Sequence, residues 1–352
     1  MLPTGRQPAP DFSRLLRVLR RQGEPDRVPF FELLVDREIV AAVLEEPVNS
    51  VEQEIRFWHA LGYDCASVKA TIPWPRRRDV APDTADLSRG RREWVNVHSE
   101  LAHTRADFEA LAWPKPQDVD YSDIERAARV LPDGMQIMAR TSGVLENTMW
   151  TLGFEGLSYL LADDPALVAE VVNAVGSLLL NAFHTMASMD RVGALLLGED
   201  MGFKTATMVS PAALREFIFP WHRAIVDAAH TRGKPIILHS CGNLRGVMDD
   251  IIGCGWDAKH SYEDVIQPIT EAKELYGGRI AVLGGIDVDL LARGSEEDVR
   301  ARTREVVRRC APGGGFALGA GNSVTNYVPV GNYLAMLDEG WRAGRYPLSF
   351  PA

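Results

Sequence analysis

The segment IILHSCGN, Ile236–Asn243, sets a histidine and a cysteine two residues apart at the end of an apolar run. In extended chain such residues project to the same side, so His239 and Cys241 offer an imidazole nitrogen and a sulfur together. That pair suits Zn(II), which accepts nitrogen and sulfur ligands in tetrahedral geometry. It equally describes a hydrogen-bonded histidine beside a small half-buried cysteine. Gly242 lets the chain turn, and Asn243 is placed to cap a helix from Leu244. A second cluster, LLLGEDMGF (Leu195–Phe203), runs an apolar strand into Glu199 and Asp200, as site carboxylates or as an acidic capping turn. ARTSGVLENTMW (Ala139–Trp150) adds Arg140, Ser142 and Glu146. VLGGID (Val282–Asp287) joins two glycines, which permit close backbone approach to a ligand, to Asp287 as a binding group. LGAGNSV (Leu318–Val324) carries Asn322 in a glycine-rich turn that either cradles an anion or simply reverses the chain.

Each cluster ends a short β-rich run, and helical patterns separate the runs. Strands are predicted at Val28–Leu33, Tyr63–Val68, Gln136–Arg140, Ala194–Gly198, Pro235–His239, Asp257–His260, Ile280–Leu283 and Phe316–Gly319. Apolar residues at three- and four-residue spacing predict helices at Pro165–Met189, Pro211–Thr231, Leu244–Ile252 and Ser295–Cys310. This α/β alternation predicts a single closed (β/α)8 TIM barrel, with its chemistry at the C-terminal ends of the strands. A doubly wound open sheet is the competing fold, but no GxGxxG follows an early strand. The expected organisation is an N-terminal extension over 1–24, the barrel over 25–346 and a C-terminal tail over 347–352. A long insertion after the second strand, Thr71–Pro116, holds PWPRRR, a short ribbon at Glu93–His98 and the run WPKP. It is too long for an ordinary βα loop and reads as a lid, a partner surface or a decoration.

Composition excludes several classes. The 352 residues are 46% hydrophobic and 24% charged, with a net charge of −10, which argues against general nucleic-acid binding. Arg76, Arg77 and Arg78 form a local basic patch. No stretch of 18 or more apolar residues able to span a bilayer is expected, and the N-terminus lacks the apolar core of a secretory signal. Four cysteines without a CxxC pair imply reduced thiols and a cytoplasmic protein.

The run from Ser210 to Leu244, SPAALREFIFPWHRAIVDAAHTRGKPIILHSCGNL, followed by the GGID and GAGNSV turns, resembles the uroporphyrinogen decarboxylase superfamily. The acidic turn Glu199–Gly202, the segment Leu152–Glu155, the DDP at Asp163–Pro165 and Trp113–Pro114 are similar to it too. The resemblance spans roughly 25–346 and implies a (β/α)8 barrel. The superfamily contains the haem-pathway decarboxylase and corrinoid-linked methyltransferases. The decarboxylase carries an Arg-rich MRQAGRY segment after its first strand; here the stretch reads PFFELLVDREIV, Pro29–Val40, with Glu32 and Asp36 where cations would be wanted. Asp64 corresponds to the acid of the decarboxylase's second strand.

The methyltransferase branch is the closer likeness. Its zinc-dependent members use a His-x-Cys pair like His239 and Cys241 plus a second cysteine in the last glycine turn, where this chain has Ala320 and Ser323. Cys254 and Cys310 end helices at the opposite end of the barrel, so Glu199 is the expected third ligand beside His239 and Cys241. The resemblance therefore implies methyl transfer between a small methylated donor or acceptor and a corrinoid on a partner protein, with or without zinc. Glu199, His239 and Cys241 would be catalytic; Glu32, Asp64, Arg140, Glu146, Asp287, Asn322 and Tyr327 would bind substrate. An acidic mouth containing Glu32 and Glu199 would suit a cationic donor, with Trp74, Trp150 and Tyr327 as aromatic faces. A homodimer is expected, as is no binding to nucleic acid or membrane. The alternatives are a decarboxylase and a non-catalytic barrel that binds a small ligand.

Overall fold

Seven short runs rich in Val, Ile, Leu and Ala assemble into one parallel sheet in the computed structural model, which describes residues 7–349. Its strands are β1 (Cys65–Lys69), β4 (Gln136–Ser142), β5 (Val192–Gly198), β6 (Ile236–His239), β7 (Ala258–His260), β8 (Ala281–Ile286) and β9 (Phe316–Ala320), adjacent in that order. Each neighbour pair is parallel, as β-helix-β connections require. The intervening β2 (Arg78–Pro82) and β3 (Arg91–Val95) form a separate antiparallel hairpin.

The predicted first strand, Val28–Leu33, does not join this ladder. Only Phe30 bridges β9, through Phe31 N to Leu318 O (2.9 Å) and Leu318 N to Pro29 O (3.0 Å). Two sequence features explain the failure. Pro29 has no N–H to donate, and the Glu32 carboxylate accepts the Ala320 N–H that would continue the ladder. On its other side the segment reaches β1 through a side chain, Ser67 Oγ donating to Leu33 O at 2.6 Å. The expected eight-stranded barrel is therefore realised as seven laddered strands with an irregular segment in the eighth place.

The sheet curls around its own small core. Phe31, Leu33, Cys65, Met138, Ala194, Leu196, Ile237, Ala258, Leu283 and Ala317 form an inner cluster, while the alternate strand residues join an outer cluster with the helices. Leu15, Val18 and Leu19 of the Phe12–Leu19 helix complete the inner cluster, so the chain's N-terminal extension caps the floor of the barrel.

Three helical details differ from expectation. The predicted Pro211–Thr231 helix is interrupted by a π-helical turn over Leu214–Ile218 before Phe219–Thr231, where Pro220 cannot donate the usual backbone hydrogen bond. The predicted Leu244–Ile252 helix begins as a 3₁₀ turn, Arg245–Val247, and becomes α-helical over Met248–Gly253. Against the expectation of no bilayer-spanning stretch, Pro165–Ser188 is long and apolar enough to cross a membrane by length and composition; Val168, Val171, Leu179, Phe183 and Met186 are buried within the fold. In the insertion, Trp113 packs against Trp74 and Phe108, and Arg89 pairs with Asp36.

Candidate functional site

The turns after β5 and β6 are clamped together by glycine. A Cβ on Gly242 (φ +81°) would stand 2.2 Å from the Gly202 carbonyl oxygen, so only glycine permits the contact. Across it, Glu199 N donates to His239 O (2.8 Å), Met201 N to Ser240 Oγ (3.2 Å) and Cys241 N to Asp200 Oδ1 (3.0 Å). Asp200 is thereby held beside the predicted pair. His239 Nε2 lies 3.6 Å from Cys241 Sγ and 3.7 Å from Asp200 Oδ1, and one donor atom from each residue falls within 4.8 Å of the others.

A hydrogen-bond relay sets the imidazole tautomer. His260 Nε2 is 2.9 Å from the Ala320 carbonyl oxygen, which can only accept, so that nitrogen carries the proton. In a neutral His260 the Nδ1 is then an acceptor, and His239 Nδ1, 2.8 Å away, must donate to it. His239 is left with its lone pair on Nε2, where it can accept from the Cys241 thiol and faces Asp200. Both rings are neutral. Burial, with Lys259 and Arg140 nearby, pulls His239 down to about 3, and burial with His239 adjacent holds His260 well below the usual range. Burial and Asp200 push the Cys241 thiol well up; Asn322 Nδ2 donates to its sulfur at 2.9 Å. A nitrogen lone pair, a sulfur and a carboxylate oxygen converging at this range fit a cation such as zinc.

The cluster opens into a cavity of about 220 Å³ whose walls include Lys69, Arg140, Ser142, Glu146, Asn322 and Ser323. Arg140 Nε donates to Ser67 Oγ at 3.0 Å. Burial, then Asp200 and Glu199, raises the Glu146 carboxyl well above the carboxylate range. Arg76 reaches in from the insertion, its guanidinium 4.0 Å over Trp150 and bonded to Asn147 Oδ1 (2.8 Å) and Ser142 Oγ (3.3 Å). Asp287 and Tyr327 lie in an adjoining cleft of about 750 Å³ that shares Asn322 and Ser323 with the first cavity.

Three expectations are corrected. Glu199 is fully buried and faces away from the cluster: Val144 N (2.6 Å) and Glu146 N (3.0 Å) donate to its oxygens, and His222 Nε2 lies 3.0 Å away. It caps the Val144–Leu152 helix, in a seat that Gly143 leaves open, and Asp200 supplies the third donor instead. Glu32 is not on the rim, because its carboxylate is spent on Ala320 N and burial raises its pKa well above the ordinary value. Asp64 precedes β1, at the closed end of the barrel, where it pairs with Arg27 and Arg14 at 2.9 Å each. The mouth, expected to be acidic through Glu32 and Glu199, instead carries Lys69 and Arg140 beside Glu146 and Asp200. Trp74 is held by Trp113 rather than facing the cavity, while all four cysteines are free and Cys254 and Cys310 are buried. Sequence reasoning overlooked His260 and Lys69, although both end their strands as His239 ends β6.

A family profile described as uroporphyrinogen decarboxylase (URO-D) matches residues 84–340. A curated uroporphyrinogen decarboxylase from Anaeromyxobacter sp. (strain Fw109-5) is 26% identical over 328 residues, covering 88% of this chain and 87% of that protein. A solved methyltransferase from Methanosarcina mazei aligns over 94% of this chain and 98% of its own, with a TM-score of 0.73 and 16% identity, a likeness of fold. A B12-independent methionine synthase from Shewanella sp. W3-18-1 aligns over 91% and 94% at a TM-score of 0.49 and 12% identity.

Proposed function

This chain belongs to the uroporphyrinogen decarboxylase family, and from that premise we propose that it transfers a methyl group at the Asp200–His239–Cys241 cluster, in partnership with a corrinoid protein. The observation that carries the reading is the unprotonated Nε2 of His239, which faces a thiol and a carboxylate beside a cavity. Asp200, His239 and Cys241 would hold zinc and leave a fourth position toward the cavity. Zinc bound there would act as a Lewis acid that favours the thiolate form of an acceptor thiol.

The chain's own groups supply position and proton control. His260 keeps the His239 proton on Nδ1, and Asn322 Nδ2 donates to the Cys241 sulfur and helps to orient it. Glu146, whose carboxyl burial shifts toward its protonated form, is the candidate proton donor within the same cavity. The methyl donor or acceptor would occupy the 220 Å³ cavity, and the corrinoid would arrive on its partner through the adjoining cleft. The fold likeness to a Methanosarcina methyltransferase agrees with this reading.

Decarboxylation is the second reading, favoured by Lys69 and Arg140 at the mouth and by the curated relative. Against it stand the small cavity and the acids of the adjoining cleft, Glu263, Asp287 and Asp289, which would repel a polycarboxylate. One pair of assays separates the two. Purified without chelator, wild type should carry near-stoichiometric zinc by plasma mass spectrometry and Cys241→Ser should lose it. Wild type should also exchange methyl with cobalamin, followed by its absorbance: demethylating methylcobalamin when a thiol is the acceptor, or methylating cob(I)alamin when a methylated amine or aryl methyl ether is the donor, with release of the free amine or phenol. Metal-free wild type without methyl exchange sinks the proposal, and coproporphyrinogen formation from uroporphyrinogen establishes the second reading.

A further inference from the structure

Two cations, Lys69 and Arg140, line the 220 Å³ cavity together with Glu146 and Asp200, and among the described residues neither cation makes an ion pair. Lys69 ends β1 as an exposed residue on the cavity lining, and no carboxylate among the described residues lies within ion-pair distance of it. Arg140 is bonded through Nε to Ser67 Oγ, which leaves the terminal nitrogens of its guanidinium without a protein partner among the described residues. Arg76 stands behind them with its Nε buried and unpartnered. These charges act on one another: burial, Arg140 and Arg76 together lower the Lys69 amine to about 8, opposed by Glu146. Glu146, itself raised toward its neutral form, makes a weak counter-ion. Two cations that make no ion pair at one cavity wall form a ready seat for an anionic ligand group.

The ligand's shape follows from the donors. Arg140 presents a planar fork suited to two carboxylate oxygens, and Lys69 adds a point charge. At about 30 Å³ per water the cavity has room for about seven waters, the bulk of a short or single-ring acid rather than a tetrapyrrole. Asp200 and His239 lie on the wall of the same cavity.

We propose that the substrate is a small carboxylic acid, its carboxylate held by Arg140 and Lys69 while its methyl-bearing or methyl-accepting atom faces the Asp200–His239–Cys241 cluster. The substrate half of this inference rests on the methyl-transfer reading; the carboxylate subsite stands on Arg140 and Lys69 alone. The test is calorimetric binding of benzoate and 4-methoxybenzoate against their neutral amides and the benzyltrimethylammonium cation, using the full-length protein. At least one acid should bind tenfold or more tighter than its amide. Arg140→Gln and Lys69→Gln should each weaken the acid at least tenfold without changing the amide, and Arg140→Lys should restore only part of the loss. Lys69 stands at a strand end, so its variant guards against a folding defect in the Arg140 variant, as does thermal melting of both. The His239→Ala/Cys241→Ser double variant should still bind the acid. Binding of acid by wild type and by this variant, with no methyl transfer by wild type, would remove the proposed function and leave the subsite standing. Equal affinity for acid and amide, preference for the cation, no acid binding, or full affinity in Arg140→Gln would overturn the subsite.

Discussion

Replacement of His260 by alanine tests the relay that gives the cluster its nitrogen ligand. In wild type the Ala320 carbonyl fixes the His260 proton on Nε2, and His260 Nδ1 fixes the His239 proton on Nδ1. Without His260 the His239 Nδ1–H has no acceptor, and the proton can move to Nε2, the atom that faces Cys241 and Asp200. Loss of such an outer partner typically costs 10–100-fold in metal affinity, about 1.4–2.7 kcal/mol. Two buried hydrogen bonds are also lost, at about 0.5–1.5 kcal/mol each, together with packing of the ring against Phe31 (5.1 Å between centroids). A general loss of stability could mimic the effect, so His222→Ala is the control. His222 is equally buried and bonded to Glu199, but it does not touch the relay. Zinc affinity is read by competition with a chromophoric chelator, and stability by thermal melting. Both variants should melt earlier, and only His260→Ala should lose zinc affinity. A His260→Ala protein that binds zinc within twofold of wild type would refute the tautomer argument.

Other perturbations separate structural from functional acids. Asp64→Ala should cost about 3–5 kcal/mol, because it strips a buried carboxylate from Arg27 (5% exposed) and from Arg14, yet zinc affinity should be unchanged. A substantial change in ligand binding with normal melting would return Asp64 to the site. Glu32→Gln should change the pH dependence of stability. The folded Glu32 pKa is raised by burial, so above about pH 4.3, the unfolded value, the native state binds more protons than the unfolded chain. Wild type therefore loses about 1.4 kcal/mol per pH unit from this group until the folded pKa is passed, and the glutamine variant does not. Its advantage in melting temperature should be smallest near pH 4 and grow toward pH 7; parallel curves would contradict the burial account. Gly242→Ala should break the contact with the Gly202 carbonyl and lower zinc affinity by displacing Asp200 from Cys241, measurable with the same chelator. Unchanged zinc affinity in that variant would show that the clamp does not position the cluster.

Most of the fold was legible because its strands are short apolar runs ended by glycine or by charge. Seven of the eight predicted strands appear with boundaries shifted by at most a few residues, Gln136–Arg140 extending to Ser142 and Ile280–Leu283 to Ile286. The eighth failed for a reason that composition conceals: PFFELL has strand-like residues, but Pro29 lacks a donor and Glu32 competes with the backbone for Ala320 N. The predicted ribbon near Glu93–His98 was found over Arg91–Val95, although its partner strand, Arg78–Pro82, is polar and gave no apolar pattern. The N-terminal helix was passed over because its burial depends on the barrel floor, a surface that no local pattern shows.

The misplaced acids have a single physical cause, the phase of the strand alternation. Along β5, Ala194 and Leu196 face the inner core while Leu195 and Leu197 face the helices. Carrying that period of two past the strand end turns Glu199 outward, toward the Val144–Leu152 helix and His222, and Asp200 inward to the mouth. The same phase turns Glu32 outward, beside inward-facing Phe31 and Leu33. On β1, Cys65 faces inward, and two steps of two later so does Lys69; on β4, Met138 leads to Arg140; on β6, Ile237 leads to His239; on β7, Ala258 leads to His260. An inward position at the C-terminal end of a strand is thus the property shared by Lys69, Arg140, Asp200, His239 and His260. It is a rule that the sequence contains, once one apolar residue per strand has been assigned to the inner core. Asp64 fails it differently, since it stands at the entry to its strand and meets the arginines of the barrel floor. Which carboxylate serves the cluster is therefore decided by strand phase rather than by residue type, and an Asp200→Glu exchange should not be innocuous. The longer side chain must give up either its bond to Cys241 N or its place within 3.7 Å of His239 Nε2, so this conservative change should weaken zinc binding measurably more than Glu199→Asp.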